Sequence, residues 1–143
     1  MRRVTTADQA HLKAWITGVL GTQFSDYATF IGQEIDGEVK AVVAFDNILD
    51  KSCMMHTAAI VPNWISKDLL WACFDYPFNI LKVKVILASV ASTNTEALRL
   101  DRHLGFVDKA YIEDAHLDGD LVILAMRREN CRWLDIKTTL KGD

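Results

Sequence analysis

The sequence predicts one α/β domain over residues 1–143, with a mixed central sheet, antiparallel first and parallel in its middle, and helices on both faces. Three observations carry this. Two strand-like runs flank Asp36-Gly37, the dipeptide that best satisfies a type I′ hairpin turn. After Pro62 the hydrophobic period turns helical, with Leu69, Leu70, Cys73, Phe74, Pro77, Phe78 and Leu81 at helical spacing. The run Val83–Ala91 is apolar, as a strand covered on both faces is, so strand, helix and strand in succession read as a parallel crossover.

The first helix is expected in TTADQAHLKAWITGVL. Thr6 and Gln9 offer a capping box, Leu12, Trp15, Ile16, Val19 and Leu20 form one apolar face, and Gly21 stops it. TQFSDY connects to the hairpin ATFIGQEIDGEVKAVVAFDNI, and a strand at about 52–61 completes a three-stranded meander. Ser66 caps the next helix; Pro77 lacks an N–H and pushes Tyr76 away from αR, so that helix ends or kinks there. After Val83–Ala91, Asn94 caps the short helix in NTEALRLDRHLGF and Gly105 closes it. Strands near 106–112 and 121–128 then bracket an acidic loop, and the tail NCRWLDIKTTLKGD ends polar, as fraying segments do.

Half of the residues are hydrophobic and 24% charged, the balance of a folded globular chain. A net charge of −3 gives no bulk attraction to nucleic acid or anionic membrane, so any phosphate binding must be local. The apolar runs are too short to span a bilayer, and MRRVTTADQAHLKAW has no apolar stretch behind its arginines, so no signal peptide is expected. Cys53, Cys73 and Cys131 lie far apart without C-x-x-C spacing; they read as reduced thiols of a cytoplasmic protein. His11, His56, His103 and His116 show no ligand spacing with them, and no metal site is expected.

In a parallel crossover, the end of the first strand and the start of the following helix form a crevice lined by free N–H groups. Here that segment is VPNWISKDLL, with Lys67 as a cation. It lacks the glycines of a phosphate loop, and a plain β–α turn with a surface lysine explains the spacing too.

Asn94, Ala97, Leu100, Gly105 and Phe106, taken with the order of elements, resemble the GCN5-related N-acetyltransferase (GNAT) family. VPNWISKDLLWACFDYPFNIL and MRRENCRWL resemble segments of bacterial and bacteriophage members, and the likeness runs from Thr5 to about Leu134. It implies that the strands flanking the central helix splay apart and that the pantetheine arm of acetyl-CoA lies between them. Ala59, Val61, Asn94 and Ala97 would then line the arm, and the backbone of Ser66, Lys67, Asp68 and Leu69 would carry the pyrophosphate. The implied activity is acetyl transfer from acetyl-CoA to a primary amine of a protein or small molecule. A catalytically weak or inactive protein of the same fold, binding and modulating a host protein, is the other reading.

The sequence departs from the family in two places. Asp68 and Leu70 occupy the small positions of the usual pyrophosphate loop, and the Asp68 carboxylate is expected to repel the phosphates. Asp101 stands where many members have a tyrosine that protonates the leaving thiolate; it is ionised at neutral pH unless burial raises its pKa strongly. Tyr111 on the next strand is the substitute acid. His56, whose ordinary pKa suits accepting a proton from an ammonium, is the first choice of base, with Asp46 and Glu34 on the neighbouring hairpin as others. Trp71 and Trp133 suggest either self-association or a docked protein, or a CRWL segment folded back over the central helix.

Overall fold

The computed structural model describes residues 1–140. Its elements run β1 (Arg2–Thr5), α1 (Gln9–Leu20), β2 (Thr29–Ile35), β3 (Glu38–Asp46), β4 (Ser52–Ala59), α2 (Lys67–Asp75), β5 (Val85–Ala91), α3 (Thr95–Leu104), β6 (Val107–His116) and β7 (Gly119–Arg127). The strands form one mixed seven-stranded sheet in the order β1-β2-β3-β4-β5-β7-β6. Among the described residues, only the β4–β5 pair is parallel.

The meander follows from its turn. Asp36 and Gly37 have φ of 52° and 87°, the two left-handed positions a type I′ turn requires, and Ile35 pairs Glu38 across them. Side chains of β3 alternate between two cores. Val42 and Ala44 face α1, where Leu12 and Ile16 are buried with Phe24 and Phe30. Val43 and Phe45 face the larger core beneath α2 and α3, built on Phe74, Phe78, Ile86, Leu124 and Met126. Each side chain so enclosed contributes about 1.5–3 kcal/mol of transfer free energy.

Three local expectations need correction. A first strand, β1, precedes α1 and was not anticipated. The cap of α1 is Asp8, whose carboxylate accepts from His11 N at 3.0 Å, in place of the Thr6–Gln9 box. Gln9 has other work: its amide donates to Phe30 O at 2.7 Å and accepts from Phe30 N at 2.9 Å. Because β1 pairs only Gly32–Ile35 of β2, that amide satisfies backbone groups the short edge strand cannot reach. The last two strands are also longer than expected, because the hairpin pairing extends to His116 and Gly119.

α2 ends before Pro77 as expected, but Tyr76 is not pushed out of the αR region: at φ −58° and ψ −57° it stays helical. The chain runs on into a π-helical turn, Tyr76–Ile80, closed by Leu81 N on Tyr76 O at 2.9 Å. After β7, Trp133 donates from its indole to Leu104 O at 2.7 Å, and Arg132 lies 4.2 Å over its ring. The CRWL segment therefore folds back on its own chain. Trp71 is half-buried in an apolar recess with Phe30, Tyr76 and Ile80. The fraying expected of the extreme tail falls partly outside the described residues. Among the described residues, no helix is long and apolar enough to cross a membrane.

Candidate active site

The parallel ladder between β4 and β5 lasts three residues: Ser52 opposite Val85, Cys53 opposite Ile86, Met54 opposite Leu87. Beyond it, β3 holds β4 as far as Ala59 and β7 holds β5 as far as Ala91, while the two strands are not paired with each other. The splay opens a cavity of about 540 Å³. Met55, His56 and Thr57 form one wall, Ala88, Ser89 and Val90 the other. Asn94, Ala97 and Asp101 of α3 face it at intervals of three and four residues, one side of a helix. His116 and Asp118 from the β6–β7 hairpin and Thr22 after α1 close the mouth.

A second, much smaller space of about 20 Å³ lies between α2 and α3, walled by Trp64, Leu69, Leu70, Cys73 and Leu104. Met55, Thr57 and Asp101 border both spaces.

Asn94 caps α3 by accepting from Ala97 N at 3.2 Å, and Gly105, at φ 117°, ends the helix with its N–H on Asp101 O and Arg102 O. One short helix thus carries the cap, the small residue and a carboxylate to the same cavity. His56 sits opposite Ala44, its ring edge-on to Phe24 at 5.4 Å. Burial holds its pKa below the ordinary value despite the opposing pull of Asp46, so at neutral pH it is a neutral base.

Asp46 is buried at the end of β3, where burial alone would raise its pKa. Ser25 N at 2.8 Å, Ser25 Oγ at 2.5 Å and Asn47 N at 2.8 Å outweigh that and hold it below the ordinary value. Its carboxylate already accepts three hydrogen bonds and does not line the cavity. Tyr111 lies on the far edge strand, 61% exposed, with its hydroxyl donating to Asp120 at 2.5 Å. Glu34 lies at the opposite edge, across from Arg3 on β1. Neither residue borders the splay.

At the start of α2, Ser66 Oγ accepts from Leu69 N at 3.0 Å and donates to the buried Gln33 at 2.6 Å. The N–H groups of Lys67 and Asp68 precede the first intrahelical bonds, and the Lys67 side chain is exposed. Asp68 is held by the C-terminal segment: it accepts from the Thr138 hydroxyl, from Thr139 N at 3.0 Å and from Thr139 Oγ1 at 2.7 Å. Those bonds lower its pKa. Ala59 ends β4 opposite Ala41, and Val61 lies in the turn that Arg2 pins through Asn63 O at 2.6 Å and Ile65 O at 3.3 Å. Leu69 borders the small space between the helices; Ala59, Val61, Ser66, Lys67 and Asp68 border neither space.

Two facing strand edges can receive an extended, amide-bearing chain between them as an added strand. A neutral imidazole on the β4 wall and a carboxyl group on the α3 wall of the same cavity supply groups able to take and give a proton.

No protein-family model and no curated protein sequence matches the chain. Solved structures do. A mutant form of the spermidine/spermine N-acetyltransferase SpeG from Vibrio cholerae superposes with a TM-score of 0.73 at 14% identity, covering 90% of this chain and 96% of that one. The fold is that of the GNAT enzymes. The same Vibrio cholerae enzyme in complex with CoA and spermine gives 0.72 at 15% identity, over 93% and 98% of the two chains. Its dodecameric form in an intermediate state gives 0.71 at 14%, over 90% and 94%.

On this GNAT fold, the strand splay and the Asn94–Ala97 wall were legible from the helix motif and the element order. The contributions of Thr22, His116 and Asp118 were not, because each comes from a connection whose path depends on tertiary packing. Asp101 carried a signal in its spacing: it lies four residues after Ala97 and seven after Asn94, on the same helix face.

Proposed function

We propose that the chain is an acetyl-CoA-dependent N-acetyltransferase acting on a primary amine. The observation that carries this is the parting of β4 from β5 after three paired residues, which leaves two strand edges facing a cavity of about 540 Å³. A pantetheine arm has amide groups spaced to bond such edges, and the likeness to a solved GNAT enzyme in complex with CoA supports the same donor here.

Asn94 and Ala97 would lie along the arm, Ala97 allowing close approach. The first turn of α2, with Lys67, would receive the pyrophosphate; its N–H groups survive the loss of glycine. Asp68 fits this arrangement with its carboxylate engaged by Thr138 and Thr139. His56 would accept the proton of an incoming ammonium from the mouth side, and holding the amine in line with the thioester supplies much of the rate. The amine, whether on a protein or a small molecule, would enter past Thr22, His116 and Asp118.

A binding module on the same fold is favoured by one observation: the C-terminal segment lies on the first turn of α2, where a pyrophosphate would sit. Calorimetric titration with acetyl-CoA separates the two. Saturable binding is expected, with about 2.7 kcal/mol of added stability at a hundredfold excess over Kd, read as a raised Tm. No binding and no Tm shift at millimolar CoA overturns the donor assignment and leaves the binding module.

A further inference from the structure

Asp101 is a carboxyl group in unusual surroundings. It borders both the splay cavity and the small apolar space between α2 and α3, which Met55, Leu100 and Leu104 also line. Its backbone carbonyl accepts from Gly105 and Phe106, but its carboxylate has no hydrogen-bond or ion-pair partner among the described residues. The carboxylates of Asp46, Asp68, Asp108 and Asp120, by contrast, all have donors.

Among the described residues, no lysine or arginine lines either space. The titratable groups lining the same spaces are His56 of β4, whose ring lies on the α1 side of the sheet against Phe24, His116 and Asp118 of the β6–β7 hairpin, and Cys73 of α2. Burial keeps His56 neutral at pH 7 and pushes the Cys73 thiol well above its usual range. β5 contributes only the hydroxyl of Ser89, and Arg102, next to Asp101 in sequence, is paired with Asp108 at 2.8 Å. An unpaired carboxylate in an apolar corner is disfavoured, and a ligand that covers it displaces the remaining water and disfavours it further.

We propose that Asp101 works in this cleft as a neutral carboxylic acid, so that binding of a CoA-type ligand takes up one proton and the carboxyl hydrogen is directed at the arm lying between β4 and β5. This rests on the donor assignment above. Burial already pushes the Asp101 pKa up to about 6 in the free protein. The carboxyl is therefore neutral below that pH and increasingly ionised above it, and ligand affinity falls as pH rises through the same range.

The proton has a use in transfer. When the amine nitrogen attacks the thioester carbonyl and the carbon–sulfur bond breaks, sulfur leaves with the bonding pair and takes the carboxyl proton. His56 first passes the proton of the incoming ammonium to water and is neutral again when the amine attacks. It then takes the second proton lost by nitrogen, and the Asp101 carboxylate recovers a proton from water, so the step is balanced.

The test is CoA binding by calorimetry between pH 5.5 and 8, in buffers of different ionisation enthalpy, with wild type and Asp101→Asn. Between pH 6 and 7 the wild-type Kd should rise about fivefold beyond any change in the variant, as the neutral fraction falls from one half to about one tenth. Wild type should also take up close to one proton more than the variant at pH 7. CoA's own phosphates titrate identically in both, so the difference isolates Asp101. Parallel pH profiles with equal proton uptake overturn the proposal while leaving the donor assignment standing. Absence of CoA binding by both proteins at every pH overturns both. Carboxyl-carbon NMR of the free protein is a separate check: titration of Asp101 near pH 4 would also overturn the proposal.

Discussion

The two ends of the cleft are built on opposite terms. At the α3 end, two strand edges and a helix cap face open space, lined along its length by the small residues Ala88, Ser89 and Ala97. At the α2 end, the first helical turn is already engaged: Ser66 is shared between Leu69 N and Gln33, and Asp68 is tied to Thr138 and Thr139. A ligand at the first end meets unmet hydrogen-bonding groups, whereas one at the second competes with bonds already made. The grip on a CoA-type donor should therefore come chiefly from its arm and only weakly from its phosphates.

The sharpest way to break that contrast is to fill the open end. Ala97→Trp places a large ring against the cavity wall while costing less than about 1 kcal/mol in helix propensity. CoA affinity should fall about a thousandfold, equivalent to about 4 kcal/mol, with the Tm of the free protein little changed. Calorimetry beside thermal melting reads both quantities, and wild-type affinity in the variant would show that the arm does not run past α3.

The next largest effect concerns chemistry at the same end. His56→Gln keeps a polar side chain but removes the base, and kcat should fall about a hundredfold with KM for the donor nearly constant. In wild type the burial of His56 depresses its pKa, so it is neutral, and active as a base, above a value lying below the ordinary one. Activity should be lost as pH falls through that value, and the variant should lack this limb. A variant that keeps both rate and acid limb would move the base elsewhere.

Much of this contrast was legible in the sequence, and the reasons are physical. The Asp36-Gly37 turn, the Asn94 cap and the Gly105 stop are local devices whose geometry follows from residue type, and they set the meander and α3. The parallel crossover followed from the order of periodic segments. What could not be read were contacts over long separations. Asp68 was expected to face a phosphate, but its partners lie seventy residues away, in a tail with no periodic pattern. Gln9 fitted a capping box locally; the edge of β2, twenty-one residues on, claims it instead. Asp101 was visible as a residue, but the upward push of burial on its carboxyl was not, because it depends on which side chains α2 and β4 bring around it.

The closed end can be loosened with a smaller effect. Asp68→Asn keeps the shape but gives up charge-assisted acceptance from Thr138 and Thr139. Stability should fall by about 1 kcal/mol, since the site is near the surface and water competes there. CoA affinity should change by less than about threefold, because the carboxylate is directed at the tail. Hydrogen bonding lowers the folded-state pKa of Asp68, so its contribution is present above the unfolded value and lost as pH falls through the folded one. Limited proteolysis of the tail should accordingly speed up in the variant at pH 7, and in wild type only in strong acid. A large gain in CoA affinity would instead place the carboxylate against the phosphates.

The smallest expected effect lies outside the cleft altogether. Tyr111 was a natural choice for the acid because it follows α3 on the next strand, but β7 inserts between β5 and β6 and carries it to the sheet's far edge. There its hydroxyl donates to Asp120, and that bond raises the tyrosine pKa, the opposite of what a proton donor to a thiolate needs near neutrality. Tyr111→Phe removes one exposed hydrogen bond, so Tm should shift little and kcat should stay within about twofold of wild type. Steady-state rates from pH 6 to 9 provide the measurement. A tenfold fall in kcat with an altered alkaline limb would mean that the β6–β7 hairpin closes over the cleft during turnover, bringing Tyr111 to the open end and making the acid a shared task with Asp101.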